Sequence, residues 1–169
     1  MKRLLGICML AGCAAWTGFR AARDLRRRER TLGELEQGLA LLSRELGLAA
    51  PPMDELLAKL AGQSAGAART LFQEAGKALE QLDVRSFSEG WAIVVQNLPD
   101  LQRDSREVLA GLGQVLGSYG GGEQRQALDA ARKELGRLRE AARAEWQRMG
   151  RVYQAMGLSG GAFFLILLL

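Results

Sequence analysis

Histidine is absent from this 169-residue chain. With it go His-based catalytic triads, His metal ligands and imidazole acid/base chemistry. Cysteine is nearly absent: Cys8 and Cys13 stand five residues apart in the first apolar run, where they read as small packing residues of a membrane helix and not as a disulfide or metal pair. Only three prolines occur, and no run of alternating apolar and polar residues is long enough to argue for a sheet. No nucleophile stands with a base in a recognisable pattern. Gly120-Gly121-Gly122 follows a helix and lacks the lysine and strand of a phosphate loop, so it reads as a connector. The sequence therefore implies no catalytic residue, no cofactor and no metal.

Charge is unevenly spread. The net charge of +4 resolves into +6 over residues 1–30, −4 over 31–142 and +2 over 143–169. The basic excess lies beside the apolar ends, and the middle is acidic. That layout fits lipid headgroups and topology signalling better than a phosphate-tracking stripe. No aromatic-studded basic face accompanies it, so nucleic acid is not an expected partner.

The first residues pose a choice. Lys2 and Arg3 precede an apolar stretch ending in Leu10-Ala11-Gly12-Cys13, the recognition box of a lipoprotein signal. Cleavage there would make Cys13 a lipidated N-terminus and place the chain outside the cytoplasm. A cleaved signal changes character at the cut, yet residues 4–19 stay uncharged, or about 24 Å of helix. Arg20 to Ala22, with the arginine snorkelling, extend the run to spanning length. Trp16 and Phe19 fall where an interfacial aromatic belt would lie. A retained transmembrane helix over 1–22 is the preferred reading. Residues 152–169 carry no charge and end in leucine, which predicts a second span of about 27 Å.

Nine arginines flank the inner sides of these runs: Arg20, Arg23, Arg26, Arg27, Arg28, Arg30, Arg143, Arg148 and Arg151. Positive charge marks the cytoplasmic side. The body, 23–151, is thus expected in the cytoplasm with both termini across the membrane. Gly157 and Gly161 form a small-xxx-small pair in the second run, as do Ala11/Ala15 and Ala14/Gly18 in the first, a spacing that lets membrane helices approach closely.

Between the runs the signal is helical. Leu25, Leu32, Leu35, Leu39, Leu42 and Leu46 draw one stripe as far as Gly47, with Arg28 in a stripe position. Pro51-Pro52 ends it. A second helix starts at Pro52, with Asp54 and Glu55 in its first turn and Leu56, Leu57 and Leu60 inward. A third covers 67–82, presenting Leu71, Phe72, Ala75 and Leu79. Ser86-Phe87-Ser88-Glu89 matches a capping box opening a short helix with Trp91, Val94 and Val95, which Pro99 ends. A fifth covers 100–117, with Leu101, Val108, Leu109, Leu112 and Leu116, and Tyr119 to Gly122 makes a turn. The last runs from Glu123 into the second span along Leu128, Ala131, Leu135, Leu138, Ala142, Trp146, Met149, Tyr153 and Met156. Helices one and six should pack antiparallel as a stalk pair, Leu35, Leu39 and Leu42 meeting Leu128, Leu135 and Leu138. Carboxylates such as Glu134, beside Arg137 and Arg139, read as solvated ion pairs. The fold class is all-α, about six helices in a bundle flanked by two transmembrane helices.

Several features then combine in order along nearly the whole chain. They are Trp16-Thr17-Gly18-Phe19 with Ala21-Ala22-Arg23, Leu32 and Leu35 leading to Pro51-Pro52, and Leu71-Phe72. The capped Trp91 helix, Leu112-Gly113-Gln114-Val115-Leu116-Gly117 with Gln124, and Tyr153 to Gly157 before the apolar tail complete the series. In this the chain resembles the stage III sporulation protein AB family of endospore-forming bacteria. The resemblance implies a bundle similar to the cytoplasmic domains of type II secretion and type IV pilus platform proteins. It also implies a non-enzymatic place in the mother cell to forespore channel complex, in the mother-cell membrane around the forespore. Implied partners are membrane lipids, other channel subunits and a secretion-type ATPase; a homo-oligomer is compatible with it. Two rival readings stay open: the lipid-anchored extracytoplasmic protein, and a membrane-bound enzyme with no recognisable motif.

Overall fold

The computed structural model describes the backbone of residues 2–48, 52–80, 86–118 and 121–168, and the side chains of 20, 23–47, 52–80, 86–117 and 122–148. The described residues hold six helices and no strand: α1 (Lys2–Leu48), α2 (Met53–Gln63), α3 (Gly66–Leu79), α4 (Phe87–Asn97), α5 (Arg103–Ser118) and α6 (Gly121–Leu168). The all-helical class expected from the sequence is what the chain adopts. Among the described residues no helix is long and apolar enough to cross a membrane. The runs at 4–19 and 152–169, where the two spans are expected, lie outside the described side chains.

Two compact units divide the chain, one of residues 1–27 with 141–169, the other of 28–140. In the second, one cluster of buried apolar side chains joins all six helices. Leu32, Leu35, Leu39 and Leu42 of α1 and Leu128 and Leu135 of α6 are completely buried in it, with Leu138 nearly so. Burying a leucine contributes roughly 1.5–3 kcal/mol. The two helices run antiparallel here: Arg139 Nε donates to Glu29 Oε1 at 3.0 Å and its Nη1 to Glu36 Oε2 at 3.4 Å, whereas Gly47, farther along α1, faces Arg125, earlier in α6. The Arg139 guanidinium lies over Gly33, where a Cβ would stand 3.0 Å from Cζ. Glu29, and burial against it, then Glu36, govern its proton affinity, which rises above the ordinary guanidinium value. Arg139 therefore leaves its own helix, while Arg137 makes the local pair with Glu134.

The short helices pack in sequence, α2 on α3, α3 on α4 and α4 on α5. α3 approaches α1 closely at Gly38, where a Cβ would meet Ala68 Cβ at 2.7 Å. Its first turn has no capping side chain of its own, since Ala65 is the N-cap. Glu34 of α1 supplies one from 33 residues away, Oε2 accepting from the Ala67 N–H at 2.8 Å. Orphan N–H groups at a helix start need such a partner. Gly66 opens α3 with φ +54° directly against that carboxylate, a conformation and a clearance that suit glycine alone. In α4, Ser86 and Glu89 complete the expected capping box. Trp91 is fully buried, donates Nε1–H to the Leu109 carbonyl at 2.7 Å and lies over Gly113.

Several boundaries differ from the sequence reading. α6 opens at Gly121, inside the expected turn and two residues before Glu123, and α3 at Gly66, one residue early. α2 begins at Met53, with Pro52 as its N-cap in extended geometry, because proline lacks the N–H and suits the helix edge. α3 ends at Leu79 with Glu80 as C-cap, short of residue 82. α5 starts at Arg103 and not at Asp100, which has φ 58°. Asp tolerates this left-handed turn better than most residues, and Leu101 still reaches the core.

Leu135→Ala should lower the unfolding free energy by about 2–5 kcal/mol, read by chemical denaturation of the full chain; a change under about 1 kcal/mol would mean that α6 is not held through this residue. A double-mutant cycle of Arg139→Ala with Glu29→Ala should give a coupling of about 1 kcal/mol or less, which shrinks as salt rises toward 1 M. Coupling that persisted unchanged in high salt would contradict the half-exposed ion pair.

Candidate functional site

The first unit carries the arginines. Arg20, Arg23, Asp24 and Arg27 recur at three- and four-residue steps, which puts them on one face of α1, and they line a surface hollow of about 510 Å³. Asp24 offsets one of the three positive charges. On the neighbouring face of the helix, Arg26 places its Cζ 5.8 Å from the centroid of the Trp146 ring. Trp146 is 38% exposed, and this geometry is within range for a cation–π contact. Arg143 and Arg148 are exposed on α6. An amphipathic indole beside guanidinium groups is the side-chain combination found at membrane interfaces.

The second unit holds the remaining arginines of the set. Arg30 is exposed and pairs with Glu34 at 2.9 Å. Arg28 occupies a half-buried stripe position, and its buried Nε has no hydrogen-bond partner among the described residues. Trp16, Phe19, Arg151, Gly157 and Gly161, and with them the Leu10 to Cys13 box, lie outside the described side chains.

Of the residues singled out in the sequence, the structure brings Arg20, Arg23 and Arg27 onto one face. It joins Arg26 to Trp146, a residue assigned to the apolar stripe of the last helix. Sequence spacing gives no signal for that pair, since its partners stand 120 positions apart on different helices. Trp146 also emerges more exposed than a stripe residue should be. The preceding stripe residue, Ala142, is buried, so the stripe turns outward within one turn of α6.

Elsewhere the polar surface offers ion pairs. Arg137 hydrogen-bonds Glu134 and holds its carboxyl below the usual range, and the same contact raises the guanidinium. Arg137 is exposed and Glu134 partly so. Lys77–Glu74 at 2.7 Å and Arg103–Glu107 at 2.9 Å are local pairs of the same kind. No group of three or more His, Cys, Asp or Glu among the described residues is arranged to hold a metal ion. The arrangement can present charge and apolar surface, and it can seat an indole among arginines.

The comparisons with known proteins agree with this architecture. A solved structure of a stage III sporulation protein AB superposes with a TM-score of 0.63 at 22% identity, covering 72% of this chain and 97% of that one, a likeness of fold. No curated protein sequence matches significantly. The family model for stage III sporulation protein AB matches residues 3–169. A match over essentially the full length, together with the six-helix fold, establishes that the chain belongs to the stage III sporulation protein AB family.

Proposed function

We propose that the chain is a membrane-anchored, non-enzymatic component of the channel complex between mother cell and forespore. It acts there as an assembly platform for a cytoplasmic secretion-type ATPase and for other membrane subunits. The observation that carries this reading is the full-length match to a sporulation family in a chain whose first and last helices, α1 and α6, take in its two uncharged terminal runs. Those runs anchor the protein in the mother-cell membrane around the forespore. The inner arginines keep the body in the cytoplasm by the positive-inside rule. Arg26 and Trp146 add an interfacial contact to that anchorage.

An interaction role suits the chemistry of the body better than catalysis does. Its buried surface is mainly leucine and alanine with Val95, Phe72 and Trp91, and surface ion pairs such as Arg103–Glu107 contribute little to stability. They are free to serve recognition. The acidic middle, −4 over residues 31–142, favours basic partner surfaces by charge steering.

Topology tests the proposal directly. Single reporter cysteines at the exposed positions Gln63 and Gln126, in a chain expressed in intact non-sporulating cells whose membrane faces the medium, should resist a membrane-impermeant maleimide and react after lysis, compared with the parent chain carrying Cys8 and Cys13. Labelling in intact cells, with cleavage after Gly12 and lipid on Cys13, would replace this reading by the lipid-anchored extracytoplasmic one.

A further inference from the structure

The α2–α3 hairpin carries an open hollow of about 630 Å³ on its outer side. Its floor is apolar: Leu57 and Ala61 of α2 and Phe72 of α3 are buried, and Leu79 is half-buried beside them. The titratable groups that line it are Asp54, Lys77 and Glu80. Lys77 is taken up by Glu74 at 2.7 Å. Asp54 and Glu80 are exposed and make no salt bridge among the described residues, so the rim is left negative. From Asp54 to Ala61 the hollow follows about 10 Å of α2 at 1.5 Å per residue, the length of two helical turns.

Gly76 lines the same hollow. It stands in the interior of α3, where glycine weakens a helix relative to alanine. Among the described residues, no side chain and no backbone beyond its own stretch of helix lies within 4 Å of where its Cβ would be. Packing among the described residues therefore gives no reason for a glycine there. The space above it belongs to the hollow, and any larger side chain would fill it.

Resting on the interaction role proposed above, we infer that this α2–α3 groove docks an amphipathic basic helix of a partner protein. Apolar side chains of that helix occupy the trough above Gly76, and flanking lysines or arginines meet Asp54 and Glu80. Helix-in-groove recognition places apolar anchors at three- and four-residue steps, which matches a trough two turns long. The trough is open to solvent along its length, unlike the enclosed sites that bury most of a small ligand. Complementary charge at its rim sets orientation and on-rate.

The probe is a fluorescein-labelled helical peptide with leucines at i, i+3, i+4 and i+7 and lysines flanking them, beside a counterpart with glutamates in place of the lysines. Anisotropy with the full chain in nanodiscs should show the lysine peptide binding at least tenfold more tightly than the glutamate one. Gly76→Leu, which fills the trough, and Asp54→Lys with Glu80→Lys, which reverses the rim, should each weaken it at least tenfold. Gly111→Leu is the control, since Gly111 also has nothing within 4 Å but lies on α5. Thermal unfolding should show Gly76→Leu no less stable than the parent. Equal binding of both peptides, or binding unchanged by Gly76→Leu and by the rim reversal, overturns the inference. So does self-association of the parent that Gly76→Leu abolishes, which would give the trough to a second copy.

In a spore-forming host, both groove variants at normal protein level should reduce heat-resistant spores at least tenfold, with Gly111→Leu unaffected. If loss of the whole chain lowers spore counts and both groove variants restore them, the groove inference alone falls. If loss of the whole chain leaves spore counts unchanged, the broader role falls with it.

Discussion

Four of the six helices are short. α2, α3, α4 and α5 have 11, 14, 11 and 16 residues; isolated helices shorter than about 12–15 residues are marginal in water, which covers α2 and α4 outright, takes in α3 and leaves α5 just above the limit. What holds them is the leucine seam of α1 and α6 in the larger unit, where six leucines are buried almost to the last atom. α3 lies directly on α1 at Gly38, and the other short helices join through their neighbours. Leu56, Leu60 and Leu71, and farther out Trp91 and Leu109, all belong to the one cluster that grows from it. A gap in the seam therefore disturbs the one cluster to which, among the described residues, every short helix contributes.

Close packing on that seam created polar problems that the fold solves at a distance. With Ala65 as its N-cap, α3 starts without a cap of its own, and where it meets α1 Glu34 provides the acceptor. Burying a whole tryptophan in α4 hides an indole N–H, and the Leu109 carbonyl of α5 receives it. An unpaired buried donor would cost about 1–3 kcal/mol. These contacts do more than offset that cost. Each has one geometry, so they fix register between helices that leucines alone would hold only loosely.

The distinction explains what the sequence could show. Periodicity exposes a helix face, so Leu35, Leu39, Leu42, Leu128, Leu135 and Leu138 were legible as a facing pair of stripes, and Ser86 with Glu89 was legible because its partners stand three residues apart. Local pattern says nothing about which side chain crosses to another helix. Glu34 capping Ala67, Arg139 reaching Glu29 over 110 positions, and Arg26 under Trp146 have no spacing signature. Nor do the positive φ values at Gly66 and Asp100, which follow from how the chain must turn between packed helices. The arginines near the apolar ends were legible as charge, while their division into a hollow-lining face and an indole-stacking one needed coordinates.

Leucine burial and the buried polar contacts account for the folding of the larger unit, and the surface charges are largely surplus to it. Exposed pairs such as Arg30–Glu34 and Arg103–Glu107 contribute about 0–1 kcal/mol apiece. A sequence under pressure only to fold could scatter its charges at random, yet this one gathers arginine beside its apolar ends and leaves the middle acidic. Charge of one sign costs self-repulsion in the folded state and is returned as steering and selectivity toward partners of the opposite sign. In a helical protein with so uniform a core, the specific information lies in that outer layer: the core decides that six helices pack, and the placement of charge around exposed apolar surface decides what they can meet.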